Sequence, residues 1–419
     1  MKVKRLKMSS FRGIGDLTLE FDTDEPTVFI GVNGVGKSSI LDCLAILLSH
    51  LLARIEFNYS FERFFRSQDI KNRHERTDNE ITISIASREV RWSLAQVRQK
   101  GSTDESGELT ELEAAIDDDE IYNHLAITPE NNTPLAVYYP VNRAVFEILL
   151  EIPKGNLLEQ IDPYEWSLTG VQTDFGSFFQ WFRAVEDLEN EERRDNTDYR
   201  DNRLEAVRQA IYSLMPDFSN LRVRRSPLRM IATKQGQELI IEQLSDGEKG
   251  LLAMVGDLAR RLAIANPGLP DPLQGEGVVL IDEIELHLHP KWQREIIPAL
   301  TRTFPNCQFI VTTHSPQVIS EVKPNGIYIL EATSEGVVAK RPESSFGRDS
   351  NRILEDLMGV PARPQEIKDE LLELFRLIDK GDLDGAKQLR QQIADQIGTD
   401  EPEFVRADVL MRRKEILNR

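Results

Sequence analysis

The segment Ile30-Gly31-Val32-Asn33-Gly34-Val35-Gly36-Lys37-Ser38-Ser39 decides the fold of this chain. It follows the apolar run 28–30 and precedes an apolar helical pattern over residues 40–48. A glycine-rich loop between a strand and a helix is the context of a phosphate-binding loop, because backbone N–H groups and the positive end of the helix surround the anion. Lys37 is expected to reach the β- and γ-phosphates, and Ser38 to bind Mg²⁺. The remaining residues that are expected to surround the nucleotide are Asn33, Gly34, Val35, Gly36 and Ser39. The pattern predicts a site for a nucleoside triphosphate.

Composition restricts the partners and the compartment. The 419 residues include 51 Lys and Arg and 70 Asp and Glu, for a formal net charge of −19, so a contact with nucleic acid would need a local basic patch. The two cysteines, Cys43 and Cys307, are far apart in sequence, which argues against a disulfide framework and favours a reducing cytoplasm. We find neither a signal peptide nor a run of about 18 apolar residues, and therefore expect a cytoplasmic protein without a membrane span.

Apolar periodicity predicts how the chain is organised. Alternating residues predict strands at 17–21, 81–85 and 90–94, an apolar run predicts a strand at 135–139, and short strands follow at 221–223 and 238–241. We interpret the acidic, Ser- and Gly-rich segment 99–120 as a solvated loop.

Two regions have a helical pattern. Over residues 174–215, aromatic residues at helical spacing predict an inserted helical pair that packs through its aromatic side: Phe175, Phe178, Phe179 and Phe182. After about Ser345 we predict three amphipathic helices with two apolar faces, one formed by Ile367, Leu371, Leu374 and Ile378 and the other by Ala386, Leu389, Ile393 and Ile397. The predicted parts are an N-terminal lobe (1–173), a helical insertion (174–216), a second lobe (217–344) and a helical C-terminal region (345–419).

A second motif with chemical meaning follows the apolar strand 278–281. This strand ends in Asp282-Glu283, and a carboxylate that leaves a strand beside a phosphate-binding loop is the usual second holder of Mg²⁺ through water. Glu283 is placed to act as general base on the attacking water. The alternative is that Asp-Glu only begins a turn.

The run Leu244-Ser245-Asp246-Gly247-Glu248-Lys249-Gly250 resembles the signature motif of ABC-type ATPases, in the variant of the SMC, RecF and OLD-like branch. This resemblance implies that Ser245, Gly247 and Glu248 of one subunit cap the γ-phosphate of ATP bound by another subunit. The helix dipole that follows suits this role. The same residues also form a Ser-x-x-Glu capping box, a local role that can coexist with the first.

Two further positions match the same branch. His314, after the strand-like run 311–313, occupies the place of the switch histidine that contacts the γ-phosphate. Arg12, in Phe11-Arg12-Gly13, matches the N-terminal motif whose arginine lies near the nucleotide. Without the resemblance, either residue would be interpreted as a surface or capping residue.

The sequence does not decide the function of three further motifs. His287 and His289 with Glu285 permit a zinc site, but this segment occupies the position of the D-loop of the family. For the glutamine of the Q-loop, Gln68 and Asn142-Arg143 are only candidates. A basic cluster of Arg222, Arg224, Arg225 and Arg229 can be either a solvated face or a contact for phosphates.

The resemblance covers about residues 1–340 and implies an α/β ABC-type P-loop head that dimerises head to tail, with ATP and Mg²⁺ between Lys37 of one subunit and Ser245 of the other. The chain lacks the heptads of a long coiled coil and the acidic cluster of a Toprim nuclease. It is most similar to the ATPase subunit of Septu anti-phage systems, which implies an antiviral role, a homo-oligomer and a separate HNH-type nuclease as partner. The alternative is a RecF-like repair ATPase that clamps DNA itself; a transporter ATPase is disfavoured by Asp246-Gly247-Glu248.

Overall fold

The chain divides into two units, Met1–Arg348 and Asp349–Arg419, in a computed structural model. The structure describes residues 1–56, 59–98, 105–118, 121, 125, 132–142, 163–170 and 175–417. Within these residues, the first unit contains three β-sheets with their helices, and the second unit is helical.

A six-stranded sheet carries the phosphate-binding loop. In spatial order its strands are β14 (Val337–Lys340), β13 (Ile327–Ala332), β3 (Thr27–Ile30), β12 (Cys307–Thr312), β11 (Gly277–Ile281) and β7 (Leu135–Tyr139). All neighbours are parallel except β13 and β14. Every residue of β3, β7, β11 and β12 is buried, as expected for parallel strands covered on both faces. Because the carboxyl ends of parallel strands share one edge, the segments that follow β3, β11 and β12 converge there.

Two antiparallel sheets accompany this one. The larger contains β2 (Gly15–Glu20), β1 (Lys2–Phe11), β4 (Arg76–Ile85), β5 (Arg88–Val97) and β6 (Glu105–Glu108), in that order. The smaller contains β10 (Gln237–Ile240), β9 (Leu228–Lys234) and β8 (Phe218–Arg225). The strands predicted from alternation are confirmed, whereas β1 and β9 were not predicted.

The interpretation of residues 99–120 as a loop is wrong for the part that the structure describes. β6 pairs with the edge of β5, which satisfies backbone groups that the edge strand would otherwise expose to water. The following helix, α2 (Thr110–Ile116), buries Leu112 and Ala115. Acidic composition hid both elements because their polar residues lie on the solvent side. Residues 99–104, 119 and 120 lie outside the described residues.

The remaining α-helices that the structure describes in the first unit are α1 (Lys37–Ile55), α3 (Phe175–Glu192), α4 (Asn202–Leu214), α5 (Asp246–Ala265), α6 (Pro290–Thr303) and α7 (Pro316–Ile319). α3 and α4 are the predicted helical pair, and both pack against α5. The aromatic stripe is core: Phe178 is fully buried, and a Cβ on Gly256 of α5 would lie 2.7 Å from its ring. By length and composition α1 would pass as a membrane span, as no other described helix does, but 78% of its apolar window is buried in the protein.

The second unit contains four helices rather than the predicted three: α8 (Ser350–Asp356), α9 (Gln365–Lys380), α10 (Leu383–Ile397) and α11 (Pro402–Leu417). Its core joins the predicted faces of α9 and α10 to Phe404, Ala407 and Met411 of α11. Ile397 was expected in this core but is exposed, because it is the last residue of α10, just before Gly398.

Candidate nucleotide site

The loop 31–36 joins β3 to α1 through backbone conformations that suit glycine. Gly36 caps α1 with a φ of 113°, and a Cβ there would lie 2.8 Å from the Ile14 side chain. A Cβ on Gly31, whose φ is 149°, would lie 2.6 Å from the Leu330 carbonyl oxygen. Among the other predicted residues, Asn33, Gly34 and Ser38 are exposed, Ser39 is half-buried and Val35 is buried. Gly31 and Gly36 therefore leave little room for any other side chain.

Lys37 is buried and folds back over this loop. Its Nζ donates hydrogen bonds to the carbonyl oxygens of Gly31, at 2.9 Å, and Val32, at 3.2 Å. Burial lowers the pKa of Lys37, and the acidic residues of the segment 282–285 oppose this shift. The lysine and these acidic residues therefore interact at the same edge of the sheet.

Asp282 and Glu283 are both held by one threonine hydroxyl at the end of β12. Thr312 Oγ1 donates to Asp282 Oδ1 at 2.5 Å and accepts from the backbone N–H of Glu283 at 2.7 Å. The Asp282 N–H donates to the carbonyl oxygen of Tyr139, at the end of β7. Glu283 has a φ of 46°, a left-handed conformation that is uncommon for a residue with a side chain. Sequence reasoning did not identify the role of Thr312, and its only signal was a hydroxyl residue at the end of a predicted strand.

His314 lies beside the acidic segment because Glu285 connects them. The Glu285 carboxylate accepts from the hydroxyl of Thr313, at 2.7 Å, and from the backbone N–H of His314. Ser315 then caps α7 by accepting from two backbone N–H groups of that helix. Lys37, Asp282, Glu283 and His314 are thus brought to one edge of the sheet, as expected of the carboxyl ends of β3, β11 and β12.

Arg12 is placed at the base of α1. Its Nε donates to Asp69 at 2.9 Å, its Nη1 to Ser39 Oγ at 3.3 Å, and its Nη2 forms an ion pair with Asp42. Burial, the largest single effect, would lower the pKa of Arg12, but the two carboxylates outweigh it and raise the pKa. Ser39 is the contact that joins Arg12 to the loop, and the carboxylates hold the guanidinium. Arg63 also pairs with Asp42, at 2.6 Å.

The signature residues form a closed local arrangement at the start of α5. Ser245 Oγ accepts from the Glu248 N–H, and the Glu248 carboxylate accepts from the Ser245 N–H at 2.9 Å, which is the predicted capping box. Lys234 on β9 pairs with Glu248; burial would raise the pKa of Glu248, and Lys234 and Ser245 together lower it. Gly247 packs against the main chain of His287, since a Cβ there would lie 2.2 Å from the His287 carbonyl oxygen.

In the described part of the chain, no hydrogen bond links the signature residues 245–248 to the loop 31–39. Ser245, Gly247 and Glu248 are brought together with one another and with the segment that follows Glu283, but not with Lys37.

The structure shows the surroundings of the candidate zinc ligands and of the candidates for the Q-loop residue. His289 Nδ1 accepts from the backbone of α6, and the described residues contain no group of three or more His, Cys, Asp or Glu that could hold a metal. Gln68 is exposed in a short turn, Asn142 is exposed just beyond β7, and Arg143 lies outside the described residues.

Three of the four arginines of the basic cluster form ion pairs within the chain. Arg222 and Arg224 both pair with Glu238, and Arg225 pairs with Glu186 and Asp187. Arginines that already have carboxylate partners give weak support to phosphate binding, so the observation that motivated a DNA clamp favours a paired surface instead.

The sequence of this chain is similar to those of known proteins. Residues 27–320 match the family model described as "AAA domain, putative AbiEii toxin, Type IV TA system". The chain is 31% identical to "Retron Ec83 probable ATPase" of Escherichia coli, over 97% of this chain and 85% of that protein. It is 24% identical to "Septu protein PtuA" of Bacillus thuringiensis, over 85% and 84%. A solved structure of an SMC head bound to the C-winged helix domain of ScpA matches with a TM-score of 0.47 and 18% identity, over 82% of this chain and 98% of that chain.

Proposed function

Because the chain belongs to the family described as "AAA domain, putative AbiEii toxin, Type IV TA system", we propose that it is an ATPase that binds and hydrolyses ATP with Mg²⁺. The predicted α/β head of the SMC, RecF and OLD-like branch is confirmed by this match, as is the resemblance to Septu proteins. The observation that supports hydrolysis best is the convergence of Lys37, Asp282, Glu283 and His314 at one edge of the parallel sheet.

Each side chain has a chemical task at that edge. Lys37 would neutralise charge on the β- and γ-phosphates, and Ser38 with Asp282 would hold Mg²⁺. Glu283 would polarise the attacking water, and His314 would contact the γ-phosphate. The Thr312 hydroxyl holds the Asp282 carboxylate and the backbone N–H of Glu283, so the Asp282 carboxylate is already oriented before the reaction begins.

Glu283→Gln tests this assignment. The amide keeps the shape of the carboxylate but cannot accept the proton, so hydrolysis should fall by about 10²–10⁴-fold while ATP binding is kept. Glu89→Gln, on the exposed side of β5, is the matched control and should hydrolyse ATP at the parental rate. A parental rate in Glu283→Gln would show that another group is the base.

We further propose that two subunits close head to tail around ATP, because Ser245 and Lys37 do not meet within one chain. Ser245→Arg should place a bulky cation against the neighbouring loop, block this closure and abolish turnover. Ser219→Arg, at an exposed position of β8, controls for the added charge. Light scattering should give a larger mass for Glu283→Gln with ATP than without it. If the protein is already a dimer without ATP, the deciding measurement is the turnover of Ser245→Arg, and an unchanged rate would contradict a site shared by two subunits.

The role that we propose for this ATPase is control of a partner in anti-phage defence, with a separate HNH-type nuclease as the effector. Two relatives support it: one carries the name of a retron ATPase and the other that of a Septu protein. The apolar stripe of α9, formed by Ile367, Leu371 and Leu374, is used in the core of its own unit. An exposed apolar face lies on α11, where Val405, Val409 and Ile416 are 66%, 63% and 66% exposed. We propose that this face binds the nuclease.

A further inference from the structure

A buried group of charges lies on α5, far from the start of that helix. Asp257 accepts hydrogen bonds from Arg260 Nη2, at 2.6 Å, and Arg261 Nε, at 2.7 Å. It also accepts from the hydroxyl of Tyr139, at 3.0 Å. All four residues are less than a tenth exposed. A buried ion group of this kind is weak evidence for stability, since apolar residues of similar volume often stabilise a core as well or better. We therefore ask whether these charges fix the position of α5 rather than stabilise the core.

Tyr139 connects this group to the acidic residues at the site. It is the last residue of β7, and its carbonyl oxygen accepts from the N–H of Asp282 at 2.9 Å. Its side chain therefore holds α5, while its main chain holds the first residue after β11. Arg261 adds a second attachment, because it donates to the carbonyl oxygens of Pro163, at 2.6 Å, and Glu165, at 3.1 Å.

The other end of the connection is the signature. α5 begins at Asp246 directly after Ser245, and Asp257 lies on the same continuous helix, roughly 18 Å along its axis. A helix transmits a small displacement of its first turn to its fourth turn, where Asp257 lies, as a rigid body. A second contact between α5 and the segment 282–287 lies near Ser245, where Gly247 packs on the main chain of His287. Movement of α5 would thus act on residues 282–287 from both sides.

We propose that Tyr139 and Asp257 are positioning residues that couple the signature of a subunit to the catalytic carboxylates of that same subunit. Engagement of Ser245 with the nucleotide of the neighbour sets the position of α5, and Tyr139 passes that position to Asp282 and Glu283. Each subunit then hydrolyses its own ATP efficiently only when its signature is engaged. This inference rests on the proposed ATPase function.

Tyr139→Phe is the variant that tests the coupling, since it removes one hydroxyl and leaves both arginines on Asp257. Tyr328→Phe is the matched control: Tyr328 lies on β13 of the same sheet, is 7% exposed and donates its hydroxyl to the Glu20 carbonyl oxygen. ATP affinity should be the same in both variants. Turnover should fall about 5- to 100-fold in Tyr139→Phe, the range typical of coupling between sites, and stay parental in Tyr328→Phe.

A double-mutant cycle with Ser245→Ala separates coupling from a merely structural effect. If Tyr139 acts through the signature, Tyr139→Phe should lower turnover no further once Ser245 is lost, so the two effects should not multiply. Multiplied effects, or parental turnover in Tyr139→Phe, would overturn the proposal.

Amide exchange gives a readout that does not depend on hydrolysis. Without nucleotide, the peptide that contains Asp282 should exchange about tenfold faster in Tyr139→Phe than in Tyr328→Phe, as expected from the loss of one buried hydrogen bond. Equal exchange refutes the coupling even if the parental protein does not hydrolyse ATP. An absence of parental hydrolysis, in contrast, would refute the proposed function and not the connection through Tyr139.

Discussion

Replacing Gly247 by alanine should separate the steric role of this glycine from its helix propensity. Gly247 is the second residue of α5, and a Cβ there would lie 2.2 Å from the carbonyl oxygen of His287 and 3.1 Å from its carbonyl carbon. Ordinary contacts begin at 3.4 Å. Both neighbours are main-chain atoms, so either the first turn of α5 or the segment around His287 must move by about 1 Å.

Helix propensity and steric clash act in opposite directions on the stability of this variant. Alanine is a better helix former than glycine by about 0.5–1 kcal/mol. An overpacked methyl group in a tight contact costs about 1–3 kcal/mol. The clash outweighs the gain in propensity, so we expect a net loss of about 1 kcal/mol and, for a unit of this size, a Tm about 1–2 °C lower. Since the displaced segment follows Glu283 directly, a shift of about 1 Å should lower ATP turnover about 100-fold.

Gly250→Ala is the control for stability, because it lies on the same helix and a Cβ there would have no neighbour within 4 Å. Without a clash, only the gain in helix propensity remains, and the Tm should rise. Calorimetry without nucleotide gives both Tm values, and a steady-state assay gives the turnover of Gly247→Ala. If both variants gained Tm equally and Gly247→Ala kept parental turnover, the contact with His287 would not be the constraint that we describe.

Two further predictions concern Asp257 and α11. Burial would raise the pKa of Asp257, but Arg261 and Arg260 outweigh burial and lower the pKa to about 2 from 3.8. A lowered carboxyl pKa stabilises the fold above about pH 4, here by about 2 kcal/mol, and this stability is lost as the pH falls towards 2. Asp257→Asn should therefore flatten the dependence of Tm on pH in that window, and an unchanged slope would contradict this prediction. Val405→Ser combined with Val409→Ser should abolish co-purification with a co-expressed HNH-type nuclease and leave ATP turnover intact. Val338→Ser, at an exposed position of β14, is the control. Retained association would exclude this face of α11 as the binding surface, and metal-dependent cleavage of nucleic acid by the purified chain would exclude a separate nuclease.

Much of the site was predictable because each of its motifs is contiguous. A strand, a glycine loop and a helix specify the phosphate-binding loop through local backbone geometry, and Ser245 and Glu248 are close enough in sequence to form their capping box within one helical turn. Buried parallel strands have long apolar runs, so β3, β7 and β11 could also be located from sequence. Helical periodicity likewise identified the aromatic side of α3.

The tertiary structure alone decided which distant residues meet. Thr312 reaches Asp282 because β12 pairs with β11, and Tyr139 reaches Asp257 because α5 packs on β7. Pairings of this kind depend on strand order, which no local pattern encodes. The same reason explains β6, whose acidic sequence becomes a strand only because β5 offers it an edge. Sequence thus determined the chemical groups and their local turns, whereas the order of the strands determined which groups act together.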